Sequence, residues 1–537
     1  GERYRDAYLF AIESFKRCYE LTGKNEYFEK VFEYSEKSKA ACLLASIREN
    51  KGLRFYVPPT LAGLEKELSI RIGYFEARIN QENSKNEPDR EKLKIWNEAL
   101  IYATSKRDSL IGVFEKNYPD YYRLKYNTKV ISSESVPEIA GKKTNFISYI
   151  SADTIIYIIV VNGKNNIIAT VPADSSLFSS IISFRNMLSE PDAERNVRED
   201  FRLFQETGYE LYSSLIEPVK KYFISDRLII SPDKELSFIP FEAFLTANNR
   251  DTSLYHNRLQ FLMNNYDISY TYSATLLSES GTGKPSFFNN ALVFAPLYEF
   301  PLVLDSIEIA RQETYFTKQV LLPLKYAGEE AEYVTKVVHG KLLSGAMATK
   351  QAYTNEAGKY DIIHLAMHTI IDESSPANSG MVFSGSIDSV NNMYLKQYEI
   401  YGIPLDAKMV VLSSCYTGSG TMYAGEGVLS FARSFLLSGS KSVLMSLWEV
   451  DDKSGAELMK SFYKNIKAGM NKSKALRKAR LNYLEQADMQ HSLPYYWVNL
   501  VIYGDEKPLY IPVYFRILLL IVIAVLPVLF YFYFRKR

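Results

Sequence analysis

Two segments of this 537-residue chain end in side chains capable of covalent chemistry. One, KYDIIHLAMHTIID, carries His368; the other, AKMVVLSSCYTGSG, carries Cys415. Each follows a short apolar, β-branched run, the pattern of a strand covered on both faces. In open α/β sheets, sites form just beyond the carboxyl ends of strands. A thiol there, followed by the flexible Thr417-Gly418-Ser419-Gly420, lies near the surface, and a nearby imidazole raises its thiolate fraction. The thiolate is the competent nucleophile, so Cys415 and His368 are candidates for a nucleophile and its base, although most such pairs at strand ends in α/β proteins are structural.

Other chemistries fit less well. His364 and His368 are spaced like two zinc ligands, but that motif needs a helix and a Glu after the first His, where this chain has Leu365 in a strand. His364 reads as a hydrogen-bonded core histidine, and His256, His339 and His491 have no companion signal. Ser413 and Ser414 lack a Gly-x-Ser-x-Gly setting. Gly281-Thr282-Gly283-Lys284 is no phosphate loop, because Pro285 and Ser278 stand where a Ser/Thr and a Gly are required. The three cysteines, Cys18, Cys42 and Cys415, make neither a disulfide framework nor a metal site. Cys18 and Cys42 fall in apolar helical patterns and read as small buried thiols.

The two reactive segments belong to a stretch in which strands alternate with helices. Ala291 to Ala295, Asp361 to Ala366, Met409 to Leu412 and Ser442 to Leu447 are expected strands. Helical patterns cover Glu329 to Val338, Val428 to Leu437, Ala456 to Ile466 and Lys474 to Leu484, with Gly439 and Gly469 where C-terminal caps belong. This alternation predicts a doubly wound sheet. The part before it is also α/β. Thr154 to Val161 and Asn166 to Val171 flank Asn162-Gly163, a hairpin signal that calls for positive φ at both turn residues. Arg227 to Ser231, a Pro232-Asp233-Lys234 turn and Leu236 to Phe241 read as a second strand–turn–strand. Helical runs near Leu177 to Leu188 and Phe201 to Phe223 intervene, and Ser278 to Ser286 reads as a linker.

The first segment is helical. Tyr8, Ile12, Phe15 and Tyr19, then Phe28, Val31 and Phe32, then Ala40, Leu43, Leu44 and Ile47 recur at helical spacing around a Gly23-Lys24-Asn25 turn. That is a helical hairpin of tetratricopeptide size, with one unit visible. A second, longer hairpin pairs Leu61, Leu64, Leu68, Ile72, Phe75 and Ile79 with Leu93, Trp96, Leu100, Ala103, Leu110 and Phe114. All these stripes read as core. The expected organisation is therefore α+β and multidomain: 1–125 helical, 126–285 a first α/β half, 286–508 a second, and 512–537 a transmembrane helix with a basic tail. Between Ile517 and Phe534 the chain has no charge, and about 18 apolar residues suffice for one bilayer span. The chain opens at Gly1 directly into a helix, shows no signal peptide and reads as a cut through a longer protein. A formal net charge of +1 gives no electrostatic reason to expect nucleic acid.

The sequence resembles the CHAT domain, a caspase- and separase-like peptidase module found behind tetratricopeptide repeats in bacteria. YAGEEAEYVTKVV, HLAMH, LSSCYTGSG, GEGVLSFARSFLLSGSKSVLMSLWEVDD, SKALRKARLNYL and PYYWVNLVIYGD carry the likeness in order and spacing, and EYSEKSKAACLLASIRE resembles the segment joining repeats to such domains. The resemblance implies an inactive pseudo-caspase half over Val130 to about Ser280, then an active half with Cys415 as nucleophile and His368 as general base. It implies an oxyanion hole from the Cys415 and Thr369 amides, with Thr369 standing where the family has glycine. A β-branched residue there resists unusual backbone angles and crowds the substrate. By likeness to separase, Asp452 is expected to line a pocket for a basic residue before the scissile bond. Asp451 could share that role, and either aspartate could instead cap the following helix. The implied function is a membrane-anchored cysteine endopeptidase acting on a protein partner, regulated through its helical region and needing no metal or organic cofactor. The alternative is a catalytically silent scaffold. The basic cluster Arg535-Lys536-Arg537 favours a periplasmic body with a cytoplasmic tail, although an unpaired thiol suits a reducing compartment.

Overall fold

The computed structural model describes residues 2–49, 57–83, 85, 88–118, 121–122, 130–190, 196–248, 250–297, 302–304, 319–321, 324–370, 379–385, 393–400, 402–413, 422–423, 427–428, 431–449, 451–513, 522, 525–526 and 535. The chain forms two compact units, Gly1–Ser46 with Val130–Arg537, and Ile47–Lys129. The smaller unit is the antiparallel pair α3 (Pro59–Asn83) and α4 (Arg90–Asn117), with Leu68, Leu110 and Phe114 at its centre. Asp89 caps α4 by accepting from the Glu91 and Lys92 amides.

The larger unit is built on one eleven-stranded mixed sheet. Its first half contains β1 (Asn145–Ser151), β2 (Ile155–Val161), β3 (Asn166–Pro172), β4 (Arg227–Ser231) and β5 (Asp267–Tyr270). In the second half are β6 (Ala291–Ala295), β7 (Lys341–Ser344), β8 (Ile362–Leu365), β12 (Met409–Leu412), β13 (Ser442–Ser446) and β14 (Leu500–Gly504). The order across the sheet is β3-β2-β1-β4-β5-β14-β13-β12-β8-β6-β7. β1, β4 and β5 are parallel, as are β7, β6, β8, β12 and β13, while β14 runs antiparallel to β13.

Both faces of β1 and β2 are covered, which explains the unbroken apolar run of β2. Ile147, Tyr149, Ile156, Ile158 and Val160 pack with α5 (Ser175–Ser189) and α6 (Val197–Leu215). On the other face, Phe146, Ile150, Tyr157, Ile159 and Val161 pack with Ile12 of α1 (Glu2–Thr22) and Phe28, Val31 and Phe32 of α2 (Asn25–Glu49). Fully burying each such side chain is worth about 1.5–3 kcal/mol. The apolar stripe of the first helical hairpin is thus the cover of one sheet face.

Two expectations in the first half are corrected. The β2–β3 connection has neither Asn162 nor Gly163 at positive φ. It is a four-residue loop in which Asn162 Oδ1 accepts from the Lys164 and Asn165 amides, so the side chain supplies the turn. Leu236 to Phe241 is not a strand: Lys234–Phe238 and Phe241–Ala243 are 3₁₀ turns. β4 is already paired on both sides by β1 and β5, which leaves no edge for a hairpin partner. The start of the expected linker is also helical, within α7 (Ala274–Ser280).

In the second half α8 (Ala327–Val338), α9 (Lys350–Glu356), α10 (Phe431–Leu437), α11 (Asp452–Lys467) and α12 (Lys472–Leu484) cover the strands. Gly439 and Gly469 take φ of 114° and 88° after α10 and α11, as C-terminal caps do. The halves join at one bridge of parallel sense, Tyr270 with Tyr503. Side chains fix the edges beside this single bridge. Arg227, at the start of β4, bonds Glu506 just past β14, and Arg477 bonds Asp267 at the start of β5. Buried Arg480 donates to Glu242 at 2.9 Å, and Glu242 accepts from Tyr270. The expected transmembrane span lies almost wholly outside the described residues; among those described, no helix is long and apolar enough to cross a membrane.

Candidate active site

The two reactive segments leave neighbouring strands at one level. β8 and β12 pair in parallel from Ile362↔Met409 to Leu365↔Leu412. His368 is the third residue after Leu365 and Cys415 the third after Leu412, on strands about 4.8 Å apart. The match continues to Ser413, whose amide donates to the Leu365 carbonyl at 3.0 Å. Residues 414–421, Cys415 among them, lie outside the described residues.

His368 is half-buried and leads into a small antiparallel sheet of β9 (Thr369–Ile370), β10 (Gly380–Val382) and β11 (Tyr394–Lys396), with β9 at its edge. The His368 carbonyl accepts from the Val382 amide at 3.0 Å. Bonded and non-bonded pairs alternate in antiparallel ladders, so Thr369↔Met381 is a non-bonded pair and the Thr369 N–H is directed away from β10. Thr369 is in extended backbone, the conformation a β-branched residue prefers, so the anticipated strain does not arise. Leu324 packs against Ile370, Val382, Met393 and Tyr394, which brings the loop before α8 to the same place.

That loop is tied to α11. The Tyr326 amide donates to Asp452 Oδ2 at 2.7 Å. The helix cap is Asp451, whose Oδ1 accepts from the Ser454 amide at 2.9 Å; Asp452 is the first helical residue and not the cap. Burial pushes the Asp452 carboxyl above the ordinary aspartate range, the Tyr326 amide opposes this, and the charges of Glu330 and Asp451 add to the rise. Among the described residues no lysine or arginine pairs with Asp451 or Asp452.

Beneath the strand ends, His364 is fully buried. Its Nδ1 lies 3.1 Å from the Tyr463 hydroxyl and its Nε2 lies 3.0 Å from Glu330 Oε1. Nδ1 thus has a hydrogen-bond partner on α11, while Nε2 lies close to Glu330 on α8 without hydrogen-bond geometry. Glu330 was missed from the sequence, yet it left a signal. It shares the buried stripe Ala327, Ala331, Val334 and Val338, where an acid must have a polar partner. His256 is buried edge-on to Phe201 and Phe204, and burial pushes its pKa down to about 3. His339 is the left-handed cap of α8, and His491 Nδ1 sits 2.8 Å from Asp488. Cys18 is half-buried rather than buried, on the partly solvated side of α1; the Cys42 side chain lies outside those described.

One contact crosses between the halves above these strand ends. Met422–Tyr423 and Gly427–Val428, which follow Cys415 in the chain, lie against the Lys234–Phe238 turn that follows β4. The turn after β4 therefore meets the segment after β12.

Tetratricopeptide repeat protein 28 of Mus musculus is 25% identical over 221 residues, covering 35% of this chain and 9% of that protein. The Homo sapiens protein of the same name is 24% identical over 221 residues. The match takes in less than a tenth of either relative's length. Among solved structures, the Saccharomyces cerevisiae separase–securin complex matches with a TM-score of 0.43 at 10% identity, over 89% of this chain and 40% of that one. The Porphyromonas gingivalis Arg-specific cysteine proteinase gingipain R matches with a TM-score of 0.34 at 9% identity, over 62% of this chain and 76% of that one. The model of the CHAT domain matches residues 205–505, from α6 through β14 and more than half of the sequence, and the chain belongs to the CHAT domain family.

Proposed function

We propose that this chain is a cysteine endopeptidase in which Cys415 attacks the substrate and His368 moves the proton. The observation that carries this reading is the register of β8 and β12, which sends both segments off adjacent strands at the same level. His368 takes the proton from Cys415 Sγ as the sulfur attacks the scissile carbonyl carbon. The resulting oxyanion is held by the Cys415 and Thr369 amides, and a Thr369 N–H directed away from β10 supports that role. Collapse breaks the C–N bond, His368 gives its proton to the leaving amine, and a thioester remains. Water, deprotonated by His368, then hydrolyses the thioester and restores the thiol.

Asp452 is proposed to face a basic side chain before the scissile bond. Its support is a half-buried carboxyl with no described cation beside it, next to the loop that packs on the His368 sheet. The first half is proposed to be catalytically silent, the helical region to receive a protein regulator, and residues 517–534 to hold the chain in a membrane. The deciding experiment is labelling by a thiol-directed electrophilic peptide, with wild type compared with Cys415→Ala and His368→Ala. Labelling that is lost in Cys415→Ala and strongly slowed in His368→Ala is expected. Equal labelling of wild type and His368→Ala would identify a silent scaffold.

A further inference from the structure

The parallel strands of the second half give it two unlike edges, and the apolar tail leaves from the one opposite His368. Leu509 to Val513 crosses the amino ends of these strands. The Ser286 amide donates to the Leu509 carbonyl at 2.9 Å, the Ile511 amide to the Ser286 carbonyl at 3.1 Å, and Asn289 Nδ2 to the Leu509 carbonyl at 3.0 Å. Ser286 and Asn289 immediately precede β6. On the other flank the Val513 amide donates to the carbonyl of Ala468, just past α11. Gly469 is so close to Pro512 that no Cβ would fit between them. The root of the tail is therefore fixed, and it is fixed at the amino edge.

That edge also carries apolar surface that no described residue covers. Phe288 is 85% exposed and Phe287 is 43% exposed, directly after the Ser286 that grips the tail. Lys284 is exposed beside them and Lys467 lies over the Tyr510 ring at 4.4 Å, while Lys408, whose Nζ donates to Ser286 and Asn289, is ion-paired with Asp361 at 3.1 Å. Exposed aromatic rings among lysines are what a protein presents to the headgroup layer of a bilayer. The described tail residues Val513, Val522, Val525 and Leu526 are 42–58% exposed. Residues 514–537, with their uncharged stretch from Ile517, continue from this same edge.

We infer that the amino edge of the second half rests on an anionic lipid surface, with Phe287 and Phe288 in the headgroup layer. The tail membrane-anchor reading is assumed; the peptidase reading is not. The consequence is directional. His368 stands beyond the far ends of these strands, a four-residue strand measuring roughly 13 Å. The site then faces away from the bilayer toward soluble partners.

The test uses the full chain reconstituted in vesicles of phosphatidylcholine and phosphatidylglycerol with brominated acyl chains, read against the unsubstituted chain. Phe288→Trp puts a probe on the amino edge. Met347→Trp puts one on the opposite edge, where Met347 is 61% exposed just after β7. The Phe288→Trp emission should shift to the blue and fall roughly twofold, as for an interfacial tryptophan, while Met347→Trp is unchanged. Phe288→Trp left unquenched in a chain that resists alkaline extraction would overturn the surface assignment and leave the anchor standing. No quenching in a chain that washes off would overturn both. Quenching with wash-off would support the surface without a span, and equal quenching of both probes would overturn the orientation.

Discussion

Asp233 and Asp452 occupy comparable places, each beyond the carboxyl end of a parallel strand, β4 for the first and β13 for the second. Burial disfavours charge on both, yet their carboxyls shift in opposite directions. Burial pushes Asp233 up, but Arg5 at 2.8 Å, Lys39 and the Ser151 amide outweigh it and hold the carboxyl below its usual range. Asp452 has Glu330 and Asp451 for neighbours and stays raised. Two further charged groups at the first edge are matched in the same way. Lys39 Nζ donates to the Ser148 hydroxyl at 2.8 Å and the Ser231 carbonyl at 2.9 Å, while Glu36 accepts from the Ala274 and Thr275 amides. The α1–α2 hairpin thus closes the strand ends of the first half with its own charges. At the second half an acidic group is left whose complement is not in the described chain. On the peptidase reading, an arriving lysine or arginine does for Asp452 what Arg5 does for Asp233.

The largest effect expected is at the open edge. Cys415→Ala and His368→Ala should each lower peptide cleavage on the order of 10⁴-fold, and the double variant should be little worse than either, because residues of one catalytic unit are not additive. Steady-state cleavage of a peptide mixture measures this. Multiplying losses would mean that the two residues act independently and that the register of β8 and β12 does not make them a pair.

The strands that lead to these residues were legible because strands covered on both faces are apolar runs. Ala291 to Ala295 and Met409 to Leu412 were placed to the residue, and the parallel order made their carboxyl ends the place to look. What closes the first edge was not legible. Periodicity identifies the apolar faces of α1 and α2 but not what they cover. The partners of Arg5, Glu36 and Lys39 lie more than a hundred residues away, where no local pattern links them. Leu236 to Phe241 misled for a related reason: its apolar residues are buried as turns over strand ends, and propensity cannot distinguish that from a strand. Glu330 was readable in principle as an acid on a buried helical stripe. The choice between Asp451 and Asp452 as cap was not, since neighbouring aspartates before a helix satisfy the same rule.

Arg5→Leu should break the closed edge. It leaves the buried Asp233 carboxylate without its nearest cation, a loss of about 3–5 kcal/mol, while Arg5→Leu with Asp233→Leu should recover much of it. Urea unfolding of the full chain measures both. Because the folded carboxyl lies below its unfolded value of 3.8, the pair contributes fully above that pH and is lost as pH falls through the folded value. The difference between wild type and the double variant should therefore shrink in acid. The Lys234–Phe238 turn, next in the chain after Asp233, lies against the segment that follows Cys415, so Arg5→Leu should also lower cleavage. A variant that loses stability with full activity would show that the two edges are not coupled.

Asp452→Asn sharpens the comparison from the open side. The amide oxygen still accepts from Tyr326, but a charge-assisted contact worth about 1.5–3 kcal/mol to a basic substrate is gone. Preference for arginine or lysine should then fall about 10–100-fold while other cleavage persists, as read from a substrate-library profile. The pH signature is opposite to that of Asp233. A carboxyl raised above 3.8 destabilises the fold as pH climbs through the folded value, so Asp452→Asn should match wild type in acid and equal or exceed it at neutral pH. An unchanged cleavage profile would reduce Asp452 to a clasp on the loop before α8.

The smallest effect separates the two neighbouring aspartates. Asp451 caps α11 through the Ser454 amide, so Asp451→Ala should cost about 1 kcal/mol, with Asp451→Asn restoring the cap and most of the stability. Both substitutions remove a negative charge beside Asp452 and should lower its titration midpoint alike, because Asp451 is one of the groups that raise it. Stability thus follows the cap, and the midpoint follows the charge. Neither variant should change the preference for basic residues more than about twofold, as expected for a half-buried charge acting on the substrate only through its neighbour. If Asp451→Asn abolishes that preference while Asp452→Asn preserves it, the roles are reversed. Asp451 would then serve as cap and pocket together, and Asp452 would hold only the Tyr326 amide.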